Sequence, residues 1–397
     1  MSESSVQLIS AAVQRAAPAA GIQVVGPNQL RLLRDGAEGY PAMLAAIGAA
    51  RREIVLEMYW FGSDAVGHAF VDALIARARA GVSVRVIFDA VGSAPVDSDM
   101  FDALRAAGGD VRPFNPLLRL WRRAVPRWMR RDHRKLLVCD AEVGFTGGLN
   151  IGRPWAPRDQ GGEGWRDDIV EVTGPGAREL RSVFFESWRR VISRPERLDP
   201  AVLPTDAPGL AATPPDDVWV IANRRRPTRR AIRATYLRWI GGARTAIDVV
   251  NAYFVPDRAT RRALLAAVRR GVRVRVLVPE RGDLRLVQWA VEATLERLAK
   301  GGVEAWAYHD SVLHSKTAVV DEELVTIGSY NLDARSYRYN LEVNLAVRST
   351  AFAAVVHRAI EHDVATKCTR WTYEVLRGRG FVRRMFGEIA RLFARFL

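Results

Sequence analysis

HRKLLVCDAEVGFTGGLN, residues 133–150, and HSKTAVVDEELVTIGSYNLD, residues 314–333, carry the same reactive side chains at the same offsets. The first supplies His133, Lys135, Asp140, Gly147, Gly148 and Asn150; the second places His314, Lys316, Asp321, Gly328, Ser329 and Asn331 181 positions further on. Only six histidines and four lysines (Lys135, Lys300, Lys316, Lys367) occur in 397 residues, so two of each in matched positions mark a duplicated unit. Two copies of one spacing point to a single active site in two parts.

The flanking sequence repeats in the same order. Ahead of the first copy, REIVLEMYWF (52–61) has strand composition, GHAFVDALIARARA (67–80) has a helical apolar face, and VSVRVIFD (82–89) alternates as a strand does. Ahead of the second stand TAIDVVNAYF (245–254), ATRRALLAAVRRG (259–271) and VRVRVLVP (272–279). Gly81 and Gly271 fall where a C-terminal glycine closes each helix. Strand, helix, strand in succession predicts right-handed crossovers and an α/β fold, with a largely parallel sheet covered by helices in each half. Between the halves, residues 193–217 hold prolines at 195, 200, 204, 208, 214 and 215, the composition of an irregular connector. The expected organisation is therefore a domain over 1–192, a Pro-rich linker over 193–217, a second domain over 218–366 and a basic amphipathic tail over 367–397. The two domains face each other about a pseudo-twofold axis, with the active site at their interface.

Composition narrows the class. With 49% hydrophobic residues the chain can bury a full core. Its apolar runs stay short of the ~18 residues that cross a bilayer as a helix, and the N-terminus lacks the pattern of a secretory signal, so a cytoplasmic, non-secreted protein is expected. Two cysteines, Cys139 and Cys368, form neither a disulfide framework nor a paired thiol motif for zinc. A formal charge of +15 predicts an anionic partner, nucleic acid or an anionic membrane face, and does not choose between them.

In each motif histidine and lysine are two apart, so on an extended strand both point to one face and the lysine is a fixed cation beside the imidazole. Asn150 and Asn331, with the backbone amides around Gly147–Gly148 and Gly328–Ser329, add uncharged donors. Pooled, the halves offer two imidazoles, two ammoniums and two carboxamides around one point, a cage for a phosphoryl group and its developing negative charge. No acidic cluster with magnesium-ligand spacing accompanies the motifs, and the sequence reads as phosphoryl transfer without metal or other cofactor. One histidine attacks phosphorus and the other protonates the leaving oxygen.

These features resemble the phospholipase D superfamily, marked by H-x-K-x(4)-D followed by G-[SG]-x-N, here present twice. More narrowly, TGGLN after the first motif, WRDD at 165–168 and GSYNLDARSYRYNLEVNLAV after the second are similar to bacterial cardiolipin synthases of the type lacking N-terminal membrane helices. The likeness covers roughly residues 28–350.

What the resemblance implies is a fold of two α-β-α sandwich domains and a phosphohistidine intermediate, with His133 as nucleophile and His314 as general acid and then base. Lys135 and Lys316 would hold the phosphoryl oxygens, supported by Asn150 and Asn331. An acidic residue after each motif would orient its histidine: Asp167 in the first half, Glu342 in the second. Asp140 and Asp321 complete the catalytic motif, with a part in stabilising the turn or pairing across the domains rather than touching substrate. Gly148 stands where the second motif has Ser329, so a hydroxyl contact to phosphate is expected from one side only. Asp167 also has a plainer reading, because a tryptophan-flanked acidic pair with Asp168 is the composition of a surface salt bridge.

The activity implied is cardiolipin synthesis: phosphatidyl transfer between two phosphatidylglycerol molecules, releasing glycerol. A hydrolase or transphosphatidylase of other phospholipids, and a nuclease, stay open as alternatives, as do the acceptor (phosphatidylglycerol, phosphatidylethanolamine or water) and the oligomeric state, a monomer being sufficient. Two segments point to an anionic membrane rather than nucleic acid, and to a peripheral position on the cytoplasmic face. FVRRMFGEIARLFARFL (381–397) places Phe381, Val382, Met385, Phe386, Ile389, Leu392, Phe393, Phe396 and Leu397 on one helical face, with packing on the protein's own core as the alternative. LLRLWRRAVPRWMRR (117–131) combines tryptophans and arginines just before His133, as a lipid-facing rim or a basic loop.

Overall fold

The computed structural model describes residues 21–94, 96, 98–116, 129–192, 216–223 and 230–393. The aromatic and basic stretch 117–128 and most of the Pro-rich segment lie outside the described residues.

The first half runs β1 (Gln23–Val25), β2 (Asn28–Arg34), α1 (Asp35–Ala49), β3 (Glu53–Met58), α2 (Ala65–Arg79), β4 (Ser83–Asp89), α3 (Ser98–Ala106), β5 (Asp110–Phe114), β6 (Lys135–Cys139), β7 (Val143–Gly147), β8 (Asp168–Thr173) and α4 (Pro175–Val191). The second runs β9 (Asp217–Ala222), α5 (Ala231–Gly242), β10 (Ala246–Asn251), α6 (Arg258–Arg269), β11 (Arg273–Pro279), α7 (Arg285–Lys300), β12 (Glu304–Tyr308), β13 (Lys316–Val320), β14 (Leu324–Gly328), α8 (Ala334–Arg338), β15 (Val343–Arg348) and α9 (Thr350–Lys367). It ends with β16 (Cys368–Trp371), α10 (Tyr373–Arg377) and α11 (Phe381–Phe393). Each half holds one eight-stranded sheet, ordered β1-β2-β8-β7-β6-β3-β4-β5 and β16-β12-β11-β10-β13-β14-β15-β9.

The sheets are mixed, which corrects the expectation of a largely parallel arrangement. Among the described strands, only β3-β4-β5 and β10-β11-β12 pair in parallel; the motif strands β6 and β13 pair antiparallel with both neighbours. The cause lies in the motif itself. Asp140 and Ala141 (φ 55° and 58°), and Asp321 and Glu322 (both φ 54°), adopt the left-handed conformation that closes a tight hairpin. Each motif strand therefore folds straight back as β7 or β14 instead of crossing over. Every residue of β6 and β13 is buried, as fits central strands covered on both faces. Gly81 and Gly271 sit at φ +85° and +88° immediately after their helices.

One hydrophobic cluster is common to both halves: Phe184 and Trp188 of α4 join Val218 and Val220 of β9, Val343 and Leu345 of β15 and Phe352 of α9. Separate clusters fill the outer layer of each half. The chain from 367, expected as a tail, first contributes β16 as the edge strand on β12.

Candidate active site

Both motif histidines lie two residues before their strands, where the chain leaves the sheet and meets the other half. Asp132 forms an isolated parallel bridge with Leu341, and Arg166 another with Leu313. His133 N–H donates to the Leu341 carbonyl at 3.0 Å, and Leu341 N–H to the Arg131 carbonyl at 2.9 Å. Reciprocally, Arg166 N–H donates to the Val312 carbonyl at 2.9 Å and His314 N–H to the Arg166 carbonyl at 2.7 Å. Backbone pairing thus fixes each histidine against the segment of the opposite half that carries an acidic residue.

The acidic residues are exchanged between the halves. His133 Nδ1 lies 3.0 Å from Glu342 Oε2, and His314 Nδ1 lies 2.8 Å from Asp167 Oδ2. Sequence order paired Asp167 with the first motif and Glu342 with the second; the structure corrects both pairings. With Nδ1 engaged, Nε2 of each ring is the nitrogen left for chemistry. Asp167 also accepts from Trp155 Nε1 at 3.0 Å and from the Asp168 amide at 3.0 Å. Glu342 accepts from Ser329 Oγ at 2.5 Å and Asn340 Nδ2 at 3.2 Å. The Ser329 hydroxyl is therefore committed to the carboxylate rather than to a phosphate, and Gly148 is its counterpart by exclusion: a Cβ there would sit 2.1 Å from Asp167 Oδ1.

The lysines are buried with the histidines. Lys135 Nζ donates to the His133 carbonyl at 2.8 Å, while Lys316 Nζ donates to the His314 carbonyl and lies 3.1 Å from its Nδ1. Burial, opposed by Glu342, brings Lys135 down to about 7, and burial opposed by Asp167 brings Lys316 down to about 8. Burial and the two ammoniums hold the His133 imidazole well below its ordinary range, so it is neutral. His314 is also lowered by burial and Lys316, but the Asp167 carboxylate pulls it back. The two carboxyls differ in kind. Burial raises Glu342 to about 7, whereas at Asp167 the His314 ring and neighbouring donors outweigh burial and keep it below its usual value.

His133 and His314 open onto one cavity of ≈ 340 Å³, also lined by Asn150 and Asn331. Asn150 Oδ1 accepts from the Trp60 amide at 3.2 Å; Asn331 Oδ1 is buried with no hydrogen-bond partner among the described residues. Several lining residues were not singled out by motif spacing. Tyr59 packs edge-on against His133 with ring centroids 4.7 Å apart, and Lys135 Nζ lies 5.0 Å from the Tyr59 ring centre. Trp155, Trp165 and Tyr253 surround His314 at 5.3, 5.9 and 6.3 Å. Arg131 and Arg335 also line the cavity. The strand repeat held a signal for some of these: Met58 pairs with Lys135 and Asn251 with Lys316, so Trp60 and Tyr253 occupy equivalent places two residues beyond the paired strands.

Asp140 and Asp321 are not brought to the cavity. They stand at the far ends of β6 and β13, and their carboxylates accept backbone amides: Arg51, Arg52 and Glu53 at 2.7–2.8 Å for Asp140, and Arg244, Thr245 and Ala246 at 2.8–3.1 Å for Asp321. Their inclusion in a catalytic set is corrected to a role in tying the turn to the start of the adjacent strand.

Comparison with known proteins follows the same lines. A family described as "Cardiolipin synthase, PLD-like domain" matches residues 43–159 and 236–364. The chain is 30% identical over 389 residues to a probable cardiolipin synthase, YwiE, of Bacillus subtilis, covering 95% of this chain and 74% of the relative. It is 32% identical over 373 residues to a cardiolipin synthase of Geobacillus kaustophilus, covering 92% and 72%. Among solved structures, phosphatidylserine synthase of Haemophilus influenzae aligns with TM-score 0.73 at 14% identity, over 98% of this chain and 100% of that one. Polyphosphate kinase of Porphyromonas gingivalis aligns with TM-score 0.59 at 15% identity, over 91% and 51%. At those identities the two structures show the fold alone.

Proposed function

The chain belongs to the cardiolipin synthase family of phospholipase D-like proteins, and from that premise we propose that it transfers a phosphatidyl group between two phosphatidylglycerol molecules through a phosphohistidine. It is a phosphatidyltransferase acting on phospholipid. The observation that carries the mechanism is the pair of imidazoles on one cavity, each anchored through Nδ1 by the carboxylate of the opposite half.

The asymmetry of those carboxylates supports a division of labour. His133, neutral beside two ammoniums, keeps the Nε2 lone pair that a nucleophile needs. That lone pair attacks phosphorus of the donor, the bond from phosphorus to the glycerol oxygen breaks, and the departing oxygen takes a proton from His314 Nε2. The ionised Asp167 stabilises the imidazolium from which that proton comes. His314, now neutral, removes the proton of the acceptor's glycerol hydroxyl; the oxygen attacks phosphorus, the bond to His133 breaks, and cardiolipin leaves. Lys135, Lys316, Asn150 and Asn331 supply positive charge and amide donors to the phosphoryl oxygens. Water in place of the acceptor hydroxyl would yield phosphatidic acid, so exclusion of water decides between synthase and hydrolase. Among the described residues no helix is long and apolar enough to cross a membrane. We place the enzyme peripherally on the cytoplasmic face of an anionic membrane, with no nucleic-acid partner and a monomer sufficient for activity.

The test is to incubate the purified protein with phosphatidylglycerol vesicles in chelator, with and without His133→Ala, and identify lipid products by mass. Cardiolipin that disappears with the substitution is the expected result. Phosphatidic acid alone would make the protein a hydrolase, and a trapped phosphoenzyme mapped to His314 would reverse the two histidine roles.

A further inference from the structure

Helix α11 is tied to α7 through ion pairs of its charged residues. Arg383 Nη2 and Arg379 Nη1 reach Glu292 Oε1 on α7 at 2.5 and 2.6 Å, Arg384 Nε reaches Glu296 at 3.2 Å, and Arg297 of α7 reaches back to Glu388 at 2.8 Å. The contact is close because small residues meet α7: a Cβ on Gly387 would lie 2.6 Å from the Trp289 carbonyl, and Ala390 is buried. Bulky apolar side chains consequently point away from the protein. Phe381 is 77% exposed, Val382 60%, and Met385, Phe386 and Ile389 each 42%. A helix that packs on a core of its own chain buries this stripe; here it is outermost.

The apolar surface continues to the mouth of the active site. Phe386 lies 6.0 Å from the Trp289 ring on α7, and at the start of that helix Leu284 and Leu286 are 54% and 51% exposed. Leu284 lines the catalytic cavity. Arg281 and Arg285 are exposed beside these leucines, with the Arg285 guanidinium 5.8 Å from the Trp289 ring centre.

We infer that the outer face of α11, together with Leu284 and Leu286, is the membrane-docking surface, inserting into the interface of an anionic phospholipid bilayer and holding the cavity mouth at headgroup level. The inference rests on phospholipid being the substrate. An apolar stripe continuous with the substrate entrance, flanked by arginine, suits a surface whose apolar side lies in the acyl boundary and whose charge meets phosphate. Lipid headgroups then reach the histidines without leaving the bilayer.

The full chain carrying Phe381→Glu, Phe386→Glu and Ile389→Glu tests this by co-sedimentation with phosphatidylglycerol-containing vesicles. Binding is expected to fall at least tenfold and turnover of vesicle substrate with it, while turnover of short-chain phosphatidylglycerol in detergent micelles stays within about twofold of wild type. Phe381→Trp gives a second reading that no folding defect can mimic: lipids brominated in the acyl chain should quench its added fluorescence. Unchanged vesicle binding by the triple variant, or absence of quenching, overturns the inference. So does a wild-type dimer, seen by light scattering, that dissociates in the triple variant while vesicle binding persists, because the stripe then belongs to a second copy. Failure of wild type to make cardiolipin in micelles would instead sink the catalytic reading and leave the docking result to stand separately.

Discussion

At the scale of single residues, the exchanged carboxylates serve two histidines that open on one cavity. Glu342→Gln removes the carboxyl that fixes His133 and should slow formation of the phosphoenzyme; Asp167→Asn removes the counter-charge of His314 and should slow both that step, in which His314 protonates the departing alcohol, and breakdown, in which it deprotonates the acceptor. Each is expected to lower kcat/KM by up to about 10⁴-fold, the loss seen when a carboxylate that orients a catalytic histidine is neutralised. Rapid-quench measurement of phosphoenzyme distinguishes them, and an Asp167→Asn variant that breaks the phosphoenzyme down at the wild-type rate would argue against the division. The buried lysines add a pH dependence. Lys135 and Lys316, lowered to about 7 and about 8, carry their protons below those values and lose them as pH rises. Positive charge around the phosphoryl oxygens is therefore full at mildly acidic pH, and kcat/KM should fall from pH 7 to 9. Lys316→Arg, which stays charged, should flatten that alkaline limb even where it lowers the rate; an unaltered limb would place its origin elsewhere.

At the scale of elements, the motif aspartates explain a feature that chemistry does not require. A left-handed pair such as Asp140–Ala141 is unfavourable for residues with a side chain, by roughly 1–2 kcal/mol each, and the Asp140 carboxylate offsets this by accepting three amides at the entry to β3. Asp140→Ala should destabilise the fold by about 2 kcal/mol, read as a lower urea midpoint, while the folded fraction keeps near-normal kcat. Loss of kcat without loss of stability would return Asp140 to the chemistry. Asp321→Ala should behave alike, since its carboxylate meets the amides of residues 244–246 in the same way.

At the scale of the whole molecule, the halves are joined by a core and by buried charge. Arg166 is 1% exposed and donates to Asp168 on its own half at 2.7 Å and to Asp363 of α9 across the interface at 2.9 Å. Arg134, between the motif histidine and lysine, faces the opposite way and donates to the Val183 carbonyl, Ser187 and the Asn223 carbonyl. Removing one partner from such a network leaves uncompensated buried charge, so Arg166→Ala should cost about 3–5 kcal/mol. It should also reduce activity, because the guanidinium anchors the backbone whose carbonyl accepts from the His314 amide. With one hydrophobic cluster spanning both halves, unfolding should be a single transition in calorimetry. Two resolved transitions would mean that the interface contributes less than its burial implies.

The duplicated H-x-K spacing and the strand–helix–strand repeat ahead of each copy were enough to indicate an α/β protein of two halves, with phosphoryl transfer as the expected chemistry. The reason is local: strand periodicity, closing glycines and matched offsets of rare residues are written in short stretches of chain. The antiparallel pairing of the motif strands was almost within reach, because the turn is encoded by Asp140–Ala141, but alternation alone does not give strand direction. Which carboxylate serves which histidine could not be read that way. The pairing of His133 with Glu342, 209 residues apart, depends on two backbone bridges that exist only once the halves meet. The outward stripe of α11 has the same origin: the sequence shows an amphipathic helix, and the ion pairs of Arg383 to Glu292 and Arg384 to Glu296 on α7 decide that Phe381, Val382 and Met385 face solvent.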